Sequence, residues 1–342
     1  MVESLRIVDF GRSSPLRSQT LWHAIAYGVS ASERVTLSFT RPAAPYVCLG
    51  YHRGIEEVDR DYCLENGLPL LRRMVGGGPV YLDSDQLFFQ ICLPVRTMPA
   101  ARCQALRVLL EPVVTAFRAV GVPAVLDDEL EICAGDRKIC GHGAAQIEDA
   151  VVVCGNLIER FDHERAARVL ALADPSQRDQ TLTLMRRFVA PTPLDPAAFQ
   201  AAMVDAYAAA LGLDPEVGGL TGTERTALAS LDERFTSDTW LAGPVRPGMA
   251  RACGPSVRQV KVRAGVWTFG ASYDGARVAA SVVRGTIDLV RLHDRALNGS
   301  RDRAEQALIG IPLQSVALVL AGFGDPGRRL ALAFATADPA RL

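Results

Sequence analysis

Arg72-Arg73-Met74-Val75-Gly76-Gly77-Gly78-Pro79-Val80-Tyr81-Leu82-Asp83 is the stretch on which the reading of this chain turns. Glycine loses more conformational freedom on folding than any other residue, so three in succession need a reason. Beside two arginines they read either as a flexible turn or as a backbone that must approach an anion closely. A second segment, Gly135-Asp136-Arg137-Lys138-Ile139-Cys140-Gly141, follows downstream. Of 37 lysines and arginines, only Lys138 and Lys261 are lysines. A lysine kept in so arginine-rich a background points to a task for a compact ammonium that the planar guanidinium does not perform. Alone, either segment is an ordinary turn; together, in this order, they carry the signal.

Working outward, the spacing predicts a helix over residues 17–29, amphipathic by its pattern. The β-rich runs 35–40 and 46–51 are separated by Arg-Pro-Ala-Ala-Pro, and a helix is expected over 58–66, stopped by Gly67. Strand-like runs at 70–73, 80–81 and 86–93 flank the glycines. A helix over 101–120 closes at Gly121. Residues 129–133 and 137–142 read as a hairpin that presents Lys138, followed by a buried strand over 151–158 and helices over 163–172 and 199–211. Residues 213–222, with Gly218, Gly219 and Gly222, read as a linker. Beyond it, strands at 260–263, 266–273 and 277–283 form a meander that turns at Asp274-Gly275, and helices are expected over 301–308 and 314–321. The expected organisation is a mixed α/β catalytic domain over 1–214 and a small α+β domain over 224–342.

At 342 residues two domains are the natural prior. A net charge of −1 gives no electrostatic case for nucleic acid or a membrane surface. No apolar run is long enough to span a bilayer, and the first residues lack a basic region followed by an apolar core. The cytoplasm is the expected compartment. There the eight cysteines, at 48, 63, 92, 103, 133, 140, 154 and 253, are expected to be reduced and mostly buried. Cys133, Cys140, His142 and Cys154 are zinc-ligand types, but their spacing matches no familiar zinc pattern. The five histidines suggest no catalytic dyad.

The residues resemble the lipoate–protein ligases, within the wider group of biotin and lipoate ligases and octanoyltransferases. The resemblance covers about the first 210 residues. It rests on Leu49-Gly50-Tyr51, the Arg72 to Asp83 loop, Asp128 to Leu130, Gly135 to Gly141 and Gly155-Asn156-Leu157. The fold it implies is a mixed central sheet flanked by helices, like the cores of class II aminoacyl-tRNA synthetases. Residues 234–240, Arg-Phe-Thr-Ser-Asp-Thr-Trp, resemble the segment that opens the accessory domain of two-domain ligases.

The chemistry the resemblance implies is ATP-dependent. Lipoate becomes lipoyl-AMP, and a lysine of a lipoyl carrier domain then displaces AMP. Lys138 is the implied catalytic residue, touching both the acyl oxygen and the phosphate. Arg73, Gly76, Gly77, Gly78, Pro79, Val80, Tyr81 and Asp83 are implied for ATP and adenylate; for Asp83, orienting water or Mg2+ stands beside capping a turn. Gly77, Cys140 and Gly155 join Lys138 around lipoate, and Asp128 is expected near the phosphates and Mg2+. Arg72 reads as structural or as an acceptor-docking charge. The acceptor would be the E2 subunit of a 2-oxoacid dehydrogenase, a glycine-cleavage H protein or a specialised lipoate-binding protein, and the enzyme a monomer.

The chain departs from the family pattern at Pro79 (commonly Ala), Cys140 (Ser), Leu82-Asp83 (His-Asp) and Val153-Cys154-Gly155 (His-His-Gly). The changes surround the acyl pocket and put the acyl group in question more than the adenylation step. The rival reading is an ATP-independent octanoyl or lipoyl transferase acting through a cysteine thioester. Neither stretch where such relatives place that cysteine, 120–126 or 171–180, contains one. Cys133, Cys140 and Cys154 remain as candidate nucleophiles, with core packing as the plainer role.

Overall fold

The computed structural model describes residues 4–32, 34–99, 101–172, 174–243 and 257–337; Cys253 lies outside them. The chain divides into two compact units, each built from discontinuous segments. Among the described residues the first takes 4–55, 63–162 and 190–243, and the second takes 56–62, 163–189 and 257–337.

The first unit is organised by a six-stranded mixed sheet. Its strands are β1 (Ser4–Ser13), β2 (Val35–Pro42), β6 (Gln86–Pro94), β10 (His142–Ile147), β11 (Ala150–Ile158) and β12 (Asp214–Val217), in the order β10-β11-β6-β2-β1-β12. β1 runs parallel to both β2 and β12, and the other pairs are antiparallel. A parallel pair needs a crossover, and α1 (Pro15–Ser32) supplies it. On one face, α3 (Arg102–Ala119) and α6 (Pro196–Leu211) bury Leu109, Val113, Phe117, Phe199 and Tyr207 against Phe39, Phe89 and Ile91 of the sheet. On the other, α1 lies between the sheet and α7 (Gly222–Thr236).

That sandwiching corrects the amphipathic expectation for α1. From Ser18 to Val29 every residue except Tyr27 is buried, so the helix has no solvent face over that span. It likewise corrects the linker. Residues 214–217 are the edge strand β12, and α7 folds back onto α1. The Arg6–Glu224 ion pair fixes that return: the two side chains are 2% and 0% exposed. Glu224 also closes a capping box with Thr221. The segment 234–240, expected to open an accessory domain, instead stays in the first unit. There Phe235 stacks on Trp240, and α8 (Asp238–Ala242) ends on Arg72. The first unit therefore runs past the expected boundary at 214.

Two small three-stranded sheets carry the segments singled out above. β4 (Leu70–Arg72), β3 (Tyr46–Leu49) and β5 (Val80–Leu82) frame the glycine loop; β7 (Ala124–Leu126), β8 (Ile132–Ala134) and β9 (Arg137–Cys140) present Lys138. The short α2 (Arg60–Glu65) lies between β3 and β4 in sequence.

The second unit is an antiparallel meander of β13 (Val257–Arg263), β14 (Val266–Tyr273), β15 (Ala276–Val283) and β16 (Thr286–His293). Both turn residues of Asp274-Gly275 and of Arg284-Gly285 have positive φ, the signature of tight two-residue hairpins. α4 (His163–Arg168) leads to α5 (Pro175–Phe188), which covers one sheet face. Gln180 donates to the Ala279 carbonyl at 3.1 Å, and the Thr181 and Thr268 hydroxyls meet at 2.7 Å. α9 (Arg301–Leu308), α10 (Val316–Ala321) and α11 (Gly324–Thr336) cover the other face, around Trp267, Phe269, Leu320, Leu330 and Phe334. Thus α5, which lies within the expected catalytic domain, belongs to the second unit.

Candidate active site

The two arginines that precede the glycine loop act in different ways. Arg72 is fully buried. Its guanidinium donates to the carbonyls of Gly50, Tyr51 and Arg53 and to those of Trp240, Leu241 and Ala242, while Trp240 Nε1 returns a hydrogen bond to the Arg72 carbonyl at 3.0 Å. Of its two readings, the structural one fits. Arg73 reaches over the loop it precedes, donating to the carbonyls of Cys48 (2.9 Å), Gly76 (2.8 Å) and Gly78 (3.0 Å). These bonds set the loop's shape from its own carbonyls.

The glycines divide by what a side chain would meet. At Gly50 a Cβ would fall 2.0 Å from the Gly77 carbonyl oxygen, so the Leu49-Gly50-Tyr51 motif exists to let the loop pass. Gly77 itself has φ +100°, which L-residues rarely adopt. Gly76 and Gly78 are different: neither has positive φ, and a Cβ on either would meet nothing within 4 Å. Neither packing nor backbone strain requires glycine there. Both are exposed, leaving a bare main chain open to a ligand. Beyond the loop, Pro79 is half-buried, Val80 is exposed and Tyr81 is buried in β5. Asp83 accepts from the Asp85 N–H at 3.0 Å, the turn-capping one of its two expected roles. Burial raises its pKa.

Lys138 stands on β9 opposite Cys133 of β8. Its ammonium meets the Glu131 carboxylate at 3.1 Å, with the side chains 18% and 8% exposed. Asp127 joins them: one oxygen accepts the N–H groups of Glu129 and Glu131, and the Cys133 thiol points to the other at 3.8 Å. Potential ligand atoms of Asp127, Glu131 and Cys133 lie within 4.8 Å of one another, the one such trio among the described residues. It does not include Cys140, His142 or Cys154, so the zinc-ligand types noted in the sequence are not gathered. Asp128, expected toward phosphate and metal, is exposed, and its neighbour Asp127 holds the inward position.

The strand that follows the hairpin packs against the start of the loop. After Cys140 the chain leaves the small sheet at Gly141 and joins the large one at His142. A Cβ on Gly143 would press on Val75 at 2.7 Å, which places β10 against the start of the loop. His142 is largely buried, and desolvation, with Lys138 adding to it, lowers its pKa to about 4. His23 is fully buried below the loop: it contacts the Gln19 carbonyl through Nδ1 at 2.6 Å, and its Nε2 accepts the Met74 N–H at 3.1 Å. Burial holds it neutral, with a pKa near 3. Both histidines support the site in their uncharged forms.

The three thiols read as candidate nucleophiles are unlike nucleophiles, whereas Cys103 is exposed. Burial pushes Cys140 to about 12 and Cys154 to about 11, and raises Cys48 and Cys92 as well. Cys140 belongs to the main core cluster, and Cys154 points at the Gly143 carbonyl at 3.6 Å. Cys133 is 1% exposed and faces a carboxylate. Gly155, read as a lipoate contact, has a packing reason to be glycine, since a Cβ would strike the Phe89 ring at 2.4 Å. Sequence reasoning passed over Asp127 and Glu131. Glu131 was within reach of it, because the expected hairpin already set that strand opposite Lys138.

A mixed sheet flanked by helices, a bare glycine loop and a hairpin lysine paired with a carboxylate are the parts that the chain shares with the lipoate ligase and octanoyltransferase group. Residues 16–208 match the lipoyl protein ligase A/B catalytic domain, and the chain belongs to that family. It is 27% identical over 251 residues to lipoate-protein ligase A subunit 1 of Thermoplasma acidophilum, covering 69% of this chain and 93% of that one. It is 26% identical over 267 residues to the octanoyltransferase LipM of an Exiguobacterium species, covering 67% and 94%. Among solved structures, the bipartite lipoate protein ligase of T. acidophilum, studied with its E2 lipoyl domain, superposes with a TM-score of 0.62 at 24% identity, covering 71% of this chain and 97% of that one. A lipoate-protein ligase A bound with ATP superposes at 0.59 and 24% identity, covering 71% and 99%. These superpositions establish the shared fold. Among the described residues no helix is long and apolar enough to cross a membrane.

Proposed function

We propose that this chain is an ATP-dependent lipoate–protein ligase, which activates lipoate as lipoyl-AMP and transfers the lipoyl group to a lysine of a lipoyl carrier domain. The observation that carries ligase over transferase is the state of the thiols. A cysteine nucleophile acts as thiolate in an electropositive, accessible setting. Cys140 and Cys154 are instead pushed far above neutrality by burial, and Cys133 faces Asp127. The adenylation parts have no such defect. The relatives named as a ligase subunit, as an ATP-bound ligase and as a ligase with its E2 lipoyl domain support the same substrates and acceptor.

In this reading Gly76 to Gly78 offer main chain to the adenylate phosphate, and Arg73 keeps the loop in shape. Pro79, Val80 and Tyr81 continue the contact surface. Lys138 exchanges its Glu131 partner for the carboxylate and α-phosphate oxygens, neutralising charge that grows in the transition state. Glu131 is a resting counter-ion that keeps the ammonium in place before substrate arrives. Magnesium enters with ATP. Asp127 and Asp128 offer the hard oxygen donors it takes, whereas the Cys133 thiol does not suit it. Gly77 and Lys138 approach the lipoate carboxyl, with Cys140 and Gly155 shaping the wall behind. Lipoate-dependent exchange of labelled pyrophosphate into ATP tests the first half-reaction; its absence with active protein refutes the ligase.

The transferase reading is supported by matches to the octanoyltransferase LipM of several bacteria, one of them over 94% of that relative. It predicts ATP-independent transfer from octanoyl carrier protein, abolished by a single cysteine substitution. Cys133, Cys140, Cys154 and the exposed Cys103 are the positions to replace.

A further inference from the structure

Lys138 and the glycine loop stand on different small sheets, β7-β8-β9 and β4-β3-β5. A reaction that needs both must fix their separation through the large sheet between them. Two buried amides lie on that route. Gln86 opens β6 and Asn156 sits in β11, 1% and 9% exposed. They are diagonal neighbours, since Asn156 pairs with Phe88 and Gln86 with Ile158. A buried glutamine in a largely apolar strand is costly unless its amide is satisfied.

The bonds run in one direction. The Gly141 N–H donates to Asn156 Oδ1 at 2.8 Å, and Asn156 Nδ2 donates to Gln86 Oε1 at 2.8 Å. Gln86 Nε2 then points to the Tyr81 carbonyl and to Asp83 Oδ1, each at 3.4 Å. An N–H at one end and oxygen acceptors at the other leave a single consistent orientation for both amides. Gly141 is the point where the chain crosses from the Lys138 sheet to the large sheet. Asn156 grips it twice, because the Asn156 N–H also donates to the Gly141 carbonyl at 3.1 Å. A Cβ at 141 would sit 3.0 Å from Asn156 Oδ1, so glycine there allows the close approach.

We propose that Gln86 and Asn156 are positioning residues: their amides form a directional tie that sets Lys138, through Gly141, against the strand leaving the glycine loop. The inference rests on reading Lys138 and the loop as one active site. Neither amide need touch substrate. Gln86→Glu keeps the acceptor for Asn156 but sets a second carboxylate oxygen against the Tyr81 carbonyl and Asp83. Asn156→Ala removes the tie and keeps the backbone bond.

Two measurements separate this proposal from the functional reading. Because the chain has only two lysines, reductive 13C-methylation gives resolvable signals for Lys138 and Lys261, assigned with Lys138→Arg and Lys261→Arg. Gln86→Glu and Asn156→Ala should each shift the Lys138 signal and leave Lys261 in place, whatever reaction the enzyme performs. An unmoved Lys138 signal overturns the proposal. In pyrophosphate exchange, each variant should lose about 10- to 100-fold in kcat, the scale of an ångström-size misplacement, with KM for ATP changed by less than about threefold. The double variant should lose no more than the worse single one, since both break the same tie. Losses that multiply, or that fall on KM alone, overturn it. Wild-type protein without exchange refutes the ligase instead, and the NMR result still decides the tie.

Discussion

Replacing Lys138 should separate its observed ion pair from its proposed part in the reaction. In the resting enzyme its ammonium neutralises Glu131, whose side chain is only 8% exposed, while its own is 18% exposed. Removing one partner of a fully buried pair costs about 3–5 kcal/mol, and an exposed pair contributes under about 1 kcal/mol. This pair lies between, so Lys138→Ala should cost about 2 kcal/mol. For a unit of this size that is a drop of about 4–8 °C in Tm. Adding Glu131→Gln removes the stranded carboxylate and should recover most of that loss. The rate should not recover. Losing a group that stabilises developing charge costs about 10²–10³-fold, and Lys138→Ala/Glu131→Gln should remain that far down. Lys138→Arg should keep the ion pair and the melting temperature yet stay at least about tenfold slow, because the fork is wider than the ammonium it replaces. Calorimetry beside single-turnover adenylation reads both quantities. Wild-type rates in Lys138→Arg, or activity regained in Lys138→Ala/Glu131→Gln, would refute the reasoning.

Other outcomes follow from the same geometry. Gly76→Ala and Gly78→Ala place a methyl in open space, so Tm should hold within about 1 °C while pyrophosphate exchange falls at least about tenfold; unchanged exchange would remove the loop from the site. Gly50→Ala drives a carbon onto the Gly77 carbonyl and should be severely destabilised, which soluble yield and calorimetry report. Glu224→Ala leaves Arg6 buried and should cost about 3–5 kcal/mol in denaturant unfolding. His23 and His142 are held neutral in the fold, near 3 and 4 against an ordinary value of 6.5. Below pH 6.5 the unfolded chain therefore takes up protons that the folded chain refuses. Stability present above that pH falls as pH drops toward 4, by up to about 1.4 kcal/mol per pH unit for each histidine. His142→Gln should make the loss shallower in urea titrations between pH 7 and 5; an identical slope would count against a buried neutral imidazole.

Much of the local structure of the candidate site was legible because each segment is short and self-contained. The glycine loop and the Lys138 hairpin each declare themselves within about a dozen residues, and the hairpin turn falls at Gly135-Asp136 between β8 and β9 as its composition implies. The strands from β2 to β6 and the helices α3 and α6 also follow their patterns. What escaped depends on partners distant in sequence. Residues 213–222 look like a linker until β1 supplies the parallel neighbour that makes 214–217 a strand. Gln177, Gln180 and Thr181 disguise α5, since polar side chains that bond sheet backbone and hydroxyl groups look solvent-facing in a sequence. Arg73 reads as a ligand-binding cation, yet its bonds go to Cys48, Gly76 and Gly78, which only the folded loop reveals. Asp127 is half-buried and Asp128 exposed because the turn that ends at Leu130, with its positive φ, directs Asp127 inward.

The central claim, that this family member is the ATP-dependent ligase, is tested most directly by intact-mass spectrometry of a purified lipoyl domain incubated with enzyme and lipoate, with and without Mg·ATP. The account predicts the gain of one lipoyl group only when ATP is present, and none with Lys138→Ala. Modification independent of ATP, with octanoyl carrier protein as donor, would contradict it.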